Sequence, residues 1–259
     1  MTECMVREKL GELLSPSQVN TYLTCPAKWY FRYLVGLSEP ATGALALGKA
    51  FHAALATNFQ RKLTSGRDMQ LADVRDVFEQ EWIVASDGAE LRDDEDAAEL
   101  ATLGKALVSA YISEAAGSIE PRAVEQAVEG EIAGVKVCGI VDVLEMNGRV
   151  LDFKTASKRP NGIPAEHGLQ LATYAMVTPG ASGSCRLDTV TKTKTVQVIQ
   201  QTYDVGAEER RFAAALYPMV QDSIRDGVYP PHRGSPLCSR KHCGYWRECE
   251  HEFGGRVPE

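Results

Sequence analysis

The sequence predicts an α/β protein with a mixed central β-sheet flanked by helices. Three observations predict it. Apolar residues recur at helical spacing through the first part of the chain. β-Branched residues then crowd the segment after Pro121, split by Gly and Asn-Gly. Helix, strands and helix follow in turn as far as Arg225. That order places a sheet in the middle with helices against it. With 259 residues, 44% of them hydrophobic, the chain can bury one good core without requiring two domains.

Each element has its own signal. Ser15-Pro16 opens a helix, a capping hydroxyl followed by proline at the first helical position. Val19, Tyr22 and Leu23 continue it, and Cys25-Pro26 breaks it. A second short helix, rich in Trp29, Tyr30, Phe31, Tyr33 and Leu34, runs to Gly36. Leu47, Phe51, Leu55 and Phe59 form one stripe of a helix, Leu71, Val74, Phe78 and Trp82 mark the next, and Leu100, Leu103, Leu107 and Tyr111 a third. Strands are expected over 124–132, 135–146 and 149–155, the last two joined at Asn147-Gly148. Residues 158–168, with two prolines and two glycines, are expected to be a loop, and 169–177 a helix. Strands near 185–190 and 195–203 and a helix over 207–225 complete the series. The tail beyond, with Pro230-Pro231, Gly234, Pro236 and three cysteines, is expected to be held by ligands rather than by a core.

Charge is unevenly spread. The net value is −7, but Asp87, Glu90, Asp93, Asp94, Glu95, Asp96 and Glu99 crowd one stretch, opposed by Arg92 alone. Bases gather elsewhere, and phosphate attraction acts over roughly a Debye length, about 8–10 Å. The acidic total is therefore weak evidence against a DNA partner. No run of about 18 apolar residues suggests a membrane span. Met1 to Leu14 lacks the apolar centre of a signal peptide, so a cytoplasmic protein without membrane attachment is expected. In that compartment seven cysteines fit metal or cluster ligation better than disulfides.

The segment Gly139-Ile-Val-Asp142 followed by Val150-Leu-Asp152-Phe-Lys154 carries the chemistry. Turn geometry decides whether its two aspartates meet. A strict two-residue loop at Asn147-Gly148 pairs Asp142 with Phe153 and sends the acids to opposite faces. A three-residue loop, with Gly148 left-handed, pairs Asp142 with Asp152 and puts Lys154 on their face. Two directly opposed carboxylates repel each other and destabilise a sheet. They make sense if a divalent cation lies between them, and oxygen ligands suit Mg²⁺ or Mn²⁺. Lys154 could then position a water or offset charge growing on a phosphate. Solvated aspartates on an exposed face are the plainer reading. The apolar neighbours Ile140, Val141, Val143, Leu144, Val150, Leu151 and Phe153 speak for strands buried on both faces, where charge needs a reason.

With Gln170-Leu-Ala-Thr-Tyr174 behind these strands and Gly48-Lys-Ala-Phe-His52 ahead of them, the ordered set resembles the RecB-like PD-(D/E)XK nucleases. It runs from Ser15 to Cys249, nearly the whole chain. The resemblance implies a restriction-endonuclease-like fold in a single domain, 1–259, with a helical insertion over 60–117. It implies that His52 joins Asp142 and Asp152 as a metal ligand, with Glu125 as an accessory acid, although a lone helical His is more often structural. It likewise implies that Gln170 and Tyr174 face the catalytic centre with Asp142, Asp152 and Lys154. Without it, Tyr174 reads as core and Gln170 as surface.

Cys238, Cys243 and Cys249, with Cys25 far upstream, could bind zinc or an iron-sulfur cluster. Spacings of four and five residues suit a zinc knuckle poorly. One upstream and three downstream cysteines resemble the iron-sulfur branch of the family, which includes AddB-type helicase-nuclease domains and CRISPR-associated nucleases. That resemblance implies a 4Fe-4S cluster joining 15–36 to 228–252, with zinc as the less favoured occupant and an unligated cap as a third reading. Cys4, Cys138 and Cys185 read as bystanders.

For nucleic acid, Lys28 and Arg32 flank aromatic residues that could stack unpaired bases, although packing is the favoured role of the rings. Lys158 and Arg159 lie just past Lys154 and could guide a strand, or simply be solvated. The combined expectation is a Mg²⁺- or Mn²⁺-dependent deoxyribonuclease. The resemblance adds an exonuclease preferring single strands or free DNA ends, with recombination or CRISPR adaptation as settings that would supply protein partners. Two rivals stand beside it: a non-catalytic DNA-end-binding module of the same fold, and an iron-sulfur redox protein.

Overall fold

The computed structural model describes residues 11–92 and 95–259. Cys4, Asp93 and Asp94 lie outside the described residues. The chain divides into two compact units: 1–40 with 129–139 and 207–259, and 41–128 with 140–206.

In the second unit, α3 (Gly43–Ser65) begins where Thr42 Oγ1 accepts the Leu45 amide at 3.2 Å, and ends at left-handed Gly66. Its predicted stripe Leu47, Phe51, Leu55 and Phe59 is fully buried. Helices α4 (Leu71–Ser86) and α5 (Ala97–Glu114) pack beside it. The acidic stretch has a structural role at one point: Asp96 caps α5, accepting from the amides of Ala98 and Glu99. Gly104 lets α4 and α5 close together, because a Cβ there would fall 1.9 Å from the Phe78 ring.

Among the described residues five strands form one mixed sheet in the order β1-β2-β3-β4-β5. They are β1 (Pro121–Ile132), β2 (Val135–Glu145), β3 (Val150–Ala156), β4 (Ser184–Thr191) and β5 (Val198–Asp204). β2 pairs antiparallel with β3, β3 parallel with β4, and β4 antiparallel with β5. Within the second unit the sheet has two apolar faces. On one, Val143, Leu151, Phe153 and Val190 join the core of α3, α4 and α5. On the other, Leu144, Val150, Cys185 and Leu187 pack with Leu171, Ala172, Tyr174 and Ala175 of α6 (Ala165–Val177).

β1 changes phase partway. Val124 lies in the first core and Val128 in the second, although residues four apart in a regular strand share a face. Between them Glu125 has φ 49°, a left-handed conformation that costs a non-glycine residue about 1–3 kcal/mol. Such a slip re-aims the side chains around it, as a bulge does.

The first unit holds α1 (Pro16–Thr24), α2 (Pro26–Trp29) with a π-helical turn over Tyr30–Val35, α7 (Ala207–Arg225) and α8 (Trp246–Phe253). Ser15 caps α1 through the Gln18 amide and Pro16 sits in its first turn, as expected. Trp29 is fully buried and hydrogen-bonds Gln18 through its indole nitrogen at 3.2 Å.

Three expectations are corrected. α6 starts at Ala165, inside the segment read as a loop, because Pro164 stands at its cap and Glu166 suits its first turn. The tail carries α8 and a small core of Ala27, Phe31, Tyr245 and Cys249, so packing as well as sequence punctuation organises it. Ile140 is 53% exposed, so β2 is not covered on both faces there. Among the described residues no helix is long and apolar enough to cross a membrane.

Candidate active site

The turn between β2 and β3 settles the question the sequence left open. The Glu145 amide donates to Arg149 O at 2.9 Å, the Gly148 amide donates to Glu145 O at 2.9 Å, and Gly148 has φ 82°. This is the three-residue loop. Any side chain at position 148 would also meet Gly180 O, 2.6 Å from an added Cβ. The paired positions are Val143 with Leu151 and Leu144 with Val150, so Asp142 and Asp152 directly follow the ladder's last pair, where the Phe153 amide turns to the Asp142 carboxylate.

The two carboxylates are recessed, Asp142 at 9% exposure and Asp152 at 1%. Asp142 Oδ2 accepts the Phe153 amide at 2.8 Å and lies 3.4 Å from His52 Nδ1. Asp152 Oδ1 accepts from Gln170 Nε2 at 2.9 Å, and the same amide nitrogen reaches Tyr174 Oη at 3.3 Å. Gln170 and Tyr174 are one helical turn apart on α6, so one face of that helix supplies both. Lys154 Nζ stands 2.6 Å from Asp152 Oδ2 in an ion pair. The structure thus brings His52, Asp142, Asp152, Lys154, Gln170 and Tyr174 into one constellation.

Its electrostatics follow from burial and like charge. Burial and the neighbouring Asp142 push Asp152 up to about 6, against the opposing pull of Lys154. Asp142 is itself lowered: burial would raise it, but His52 and Lys154 together outweigh burial. Burial alone would lower His52, and Asp142 reverses that, holding the imidazole above its ordinary range. Burial also raises the Tyr174 phenol well above its usual value, so it stays protonated. Glu125 lines an open cavity with His52 and Lys154, and partial desolvation followed by Asp142 raises its carboxyl.

A hard divalent cation suits the chemistry of this donor set. Two carboxylate groups and an imidazole lie together, and added positive charge would relieve the repulsion that raises Asp152. As they stand, no group of three or more His, Cys, Asp or Glu side chains among the described residues is arranged to hold a metal ion. Asp142 is instead engaged internally by His52 and the Phe153 amide.

A buried network stands on the other face of the sheet, and the sequence reading missed it. Tyr111 Oη donates to Asp188 Oδ2 at 2.7 Å, and Arg186 Nη2 lies 2.9 Å from the same oxygen. The Tyr111 ring meets Phe153 edge-on, with centroids 5.2 Å apart, so the network backs the strand that carries Asp152 and Lys154. The available signal was the pair Arg186-x-Asp188 in an otherwise apolar strand.

The expected nucleic-acid contacts divide between the two units, Lys28 and Arg32 in the first and Lys158 and Arg159 in the second. Lys28 pairs with Glu39 at 2.9 Å. Arg32 lies over the Tyr33 ring. Trp29 and Phe31 are buried, and Tyr30 stacks on Tyr229, so packing occupies these rings. Lys158 and Arg159 are exposed, with Arg159 hydrogen-bonded to Gln197.

In the first unit Cys25, Cys243 and Cys249 border one small core, although among the described residues no three of the cysteines are arranged to hold a metal ion. Burial raises Cys249 to about 11, and Cys25, Cys243 and Cys238 add to the effect. Burial also raises Cys243, with a contribution from Cys25. The His232 amide donates to Cys25 Sγ at 3.4 Å. Cys138 and Cys185 are buried in strands, as bystanders would be.

Comparison with known proteins adds the following. A family model described as the PD-(D/E)XK nuclease superfamily matches residues 13–250. No curated protein matches. A crystal structure of a protein from Eubacterium rectale, described as a candidate exonuclease, superposes with a TM-score of 0.59 at 12% identity, covering 99% of this chain and 93% of that one. At that identity the likeness speaks for the fold alone. The crystal structure of SSO0001 covers 96% of this chain and 95% of its own at 13% identity, but its TM-score of 0.41 carries no argument.

Proposed function

The chain belongs to the PD-(D/E)XK nuclease superfamily, and from that premise we propose that it is a Mg²⁺- or Mn²⁺-dependent deoxyribonuclease acting on single strands or free DNA ends. One observation carries the reading: Asp142 and Asp152 lie on adjoining antiparallel strands, recessed and close enough to act on each other, with Lys154 beside Asp152. Neighbouring acids of this kind destabilise a sheet unless something uses them.

In this reading Asp142, Asp152 and His52 hold the cation. A bound divalent cation polarises a phosphoryl oxygen and lowers the pKa of water, so that phosphodiesters hydrolyse without a covalent intermediate. Gln170 fixes Asp152 by donating to Oδ1, which leaves Oδ2 facing Lys154. Lys154 supplies positive charge where charge develops on the phosphate. The protonated Tyr174 holds the amide nitrogen of Gln170 and so orients the pair.

The test uses a labelled single-stranded oligonucleotide with Mn²⁺ and compares the native chain with Asp152→Ala and Lys154→Ala. Cleavage by the native chain alone supports the proposal, and equal degradation by all three defeats it. The engagement of Asp142 by His52 and a main-chain amide favours a second reading, a DNA-end-binding module without catalysis. Binding without cleavage by the native protein would support that one. For the cysteines we propose a 4Fe-4S cluster on Cys25, Cys238, Cys243 and Cys249, and the placing of Cys25, Cys243 and Cys249 around one small core supports it. A brown protein with about four irons per chain supports it, whereas one zinc per chain replaces it.

A further inference from the structure

An open trough of about 730 Å³ runs along α3 as far as His52 and Lys154, which contact Asp142 and Asp152 in turn. Its lining carries three basic or titratable nitrogen side chains, Lys49, His52 and Lys154, against one acid, Glu125. Leu45, Lys49 and Ala53 follow at four-residue intervals, so they project from one side of α3. Ala44, Ala53 and Ala56 keep that side low, and Gly48 keeps it open beside Thr155.

Lys28, Lys62, Lys105 and Lys154 each have a carboxylate partner within 4 Å. Among the described residues several lysines, Lys136, Lys158, Lys194 and Lys241 included, have no such partner, and Lys49, which is exposed, is the one of these that lines the trough. It is three residues from His52, about 4.5 Å along the helix axis, on a flexible four-carbon stem. Lys154 already serves the centre, so the trough presents two separated ammonium groups along one path. A repeating polyanion matches that arrangement better than a small ligand with a single charge.

We infer that this trough seats a DNA strand and that Lys49 holds the phosphate next to the one at the carboxylates. The inference rests on the nuclease reading and deepens it, since it adds a strand-positioning residue outside the reacting group. Lys49 acts as a point charge on a phosphate, so its contribution is sequence-independent and falls with salt. Being exposed, it leaves folding untouched when truncated.

The test measures binding of a fluorescently labelled single-stranded oligonucleotide as a function of salt, in an Asp152→Asn background that prevents turnover, with and without Lys49→Ala. The slope of log affinity against log salt becomes shallower by about 0.7, the value for one phosphate contact on a single strand. With Asp152 intact, Lys49→Ala raises KM about tenfold and leaves kcat within about twofold, and Lys49→Arg restores KM. An unchanged slope, or a fall in kcat at constant KM, overturns the inference. A native chain that cleaves nothing, with the slope still shallower in Lys49→Ala, defeats the nuclease reading and leaves the strand contact standing. Active native protein with a silent Lys49→Ala does the reverse.

Discussion

The carboxylate centre and the cysteine region are built by different means. The first comes from adjoining hydrogen-bonded strands that carry Asp142 and Asp152 just beyond their last paired positions, and each acid has defined partners. The second gathers Cys25 with three residues more than two hundred positions later, on short helices and turns around a small apolar core. Register positions chemistry through many cooperating backbone bonds. A tail of short elements depends on a few side chains, or on whatever they bind. The contrast teaches that losing one side chain should damage activity in the first region and stability in the second.

The strongest way to break that contrast is Asp152→Ala. It should cut DNA cleavage by roughly 1,000-fold or more, with an unfolding midpoint at or above the native one, because a buried acid raised by its surroundings is itself destabilising. A large loss of stability would show that the acid serves the fold. The second test goes the other way. Cys249→Ser should lower the thermal midpoint by about 5 °C or more if the four cysteines share a bound metal or cluster, while Mn²⁺ affinity stays native. Calorimetry with parallel Mn²⁺ titration reads both.

Gly104→Ala tests the scaffold shared by neither site. An added methyl 1.9 Å from Phe78 forces α4 and α5 apart and should cost about 3 kcal/mol, measured by denaturant unfolding. Gln170→Ala should weaken Mn²⁺ binding about tenfold by freeing Asp152 Oδ1, with little change in stability. The smallest effect concerns pH. Asp152 stands at about 6 in the fold against an ordinary 3.8, so the native state retains its proton longer than the unfolded chain does. Its contribution to the stability of the ion-free protein is present below about 4 and lost as pH rises through 6. Asp142, which is lowered, acts in the opposite direction and loses its contribution as pH falls. Cation affinity should therefore rise with pH through about 6, and a flat profile from 5 to 7 would remove Asp152 from the binding event.

Much of the second unit was legible because its signals are local and periodic. The stripe Leu47, Phe51, Leu55 and Phe59 announced α3, and Gly148 announced the turn that sets the register. Other features depend on tertiary context. The Tyr111–Asp188–Arg186 network joins residues 77 positions apart, and no local pattern links them. The left-handed Glu125 leaves no trace in a β-rich segment, because only the packing of Val124 and Val128 into different cores reveals the slip. α8 was hidden by the glycines, prolines and cysteines around it, which read as irregular chain. Lys28 looked available for phosphate until Glu39, in the following loop, proved to hold it.

Titration of Mn²⁺ into the native chain and into Asp142→Asn and Asp152→Asn tests the central claim most directly. The account predicts saturable binding to the native protein that either substitution abolishes while the fold persists. Native affinity and stoichiometry in both variants would contradict it.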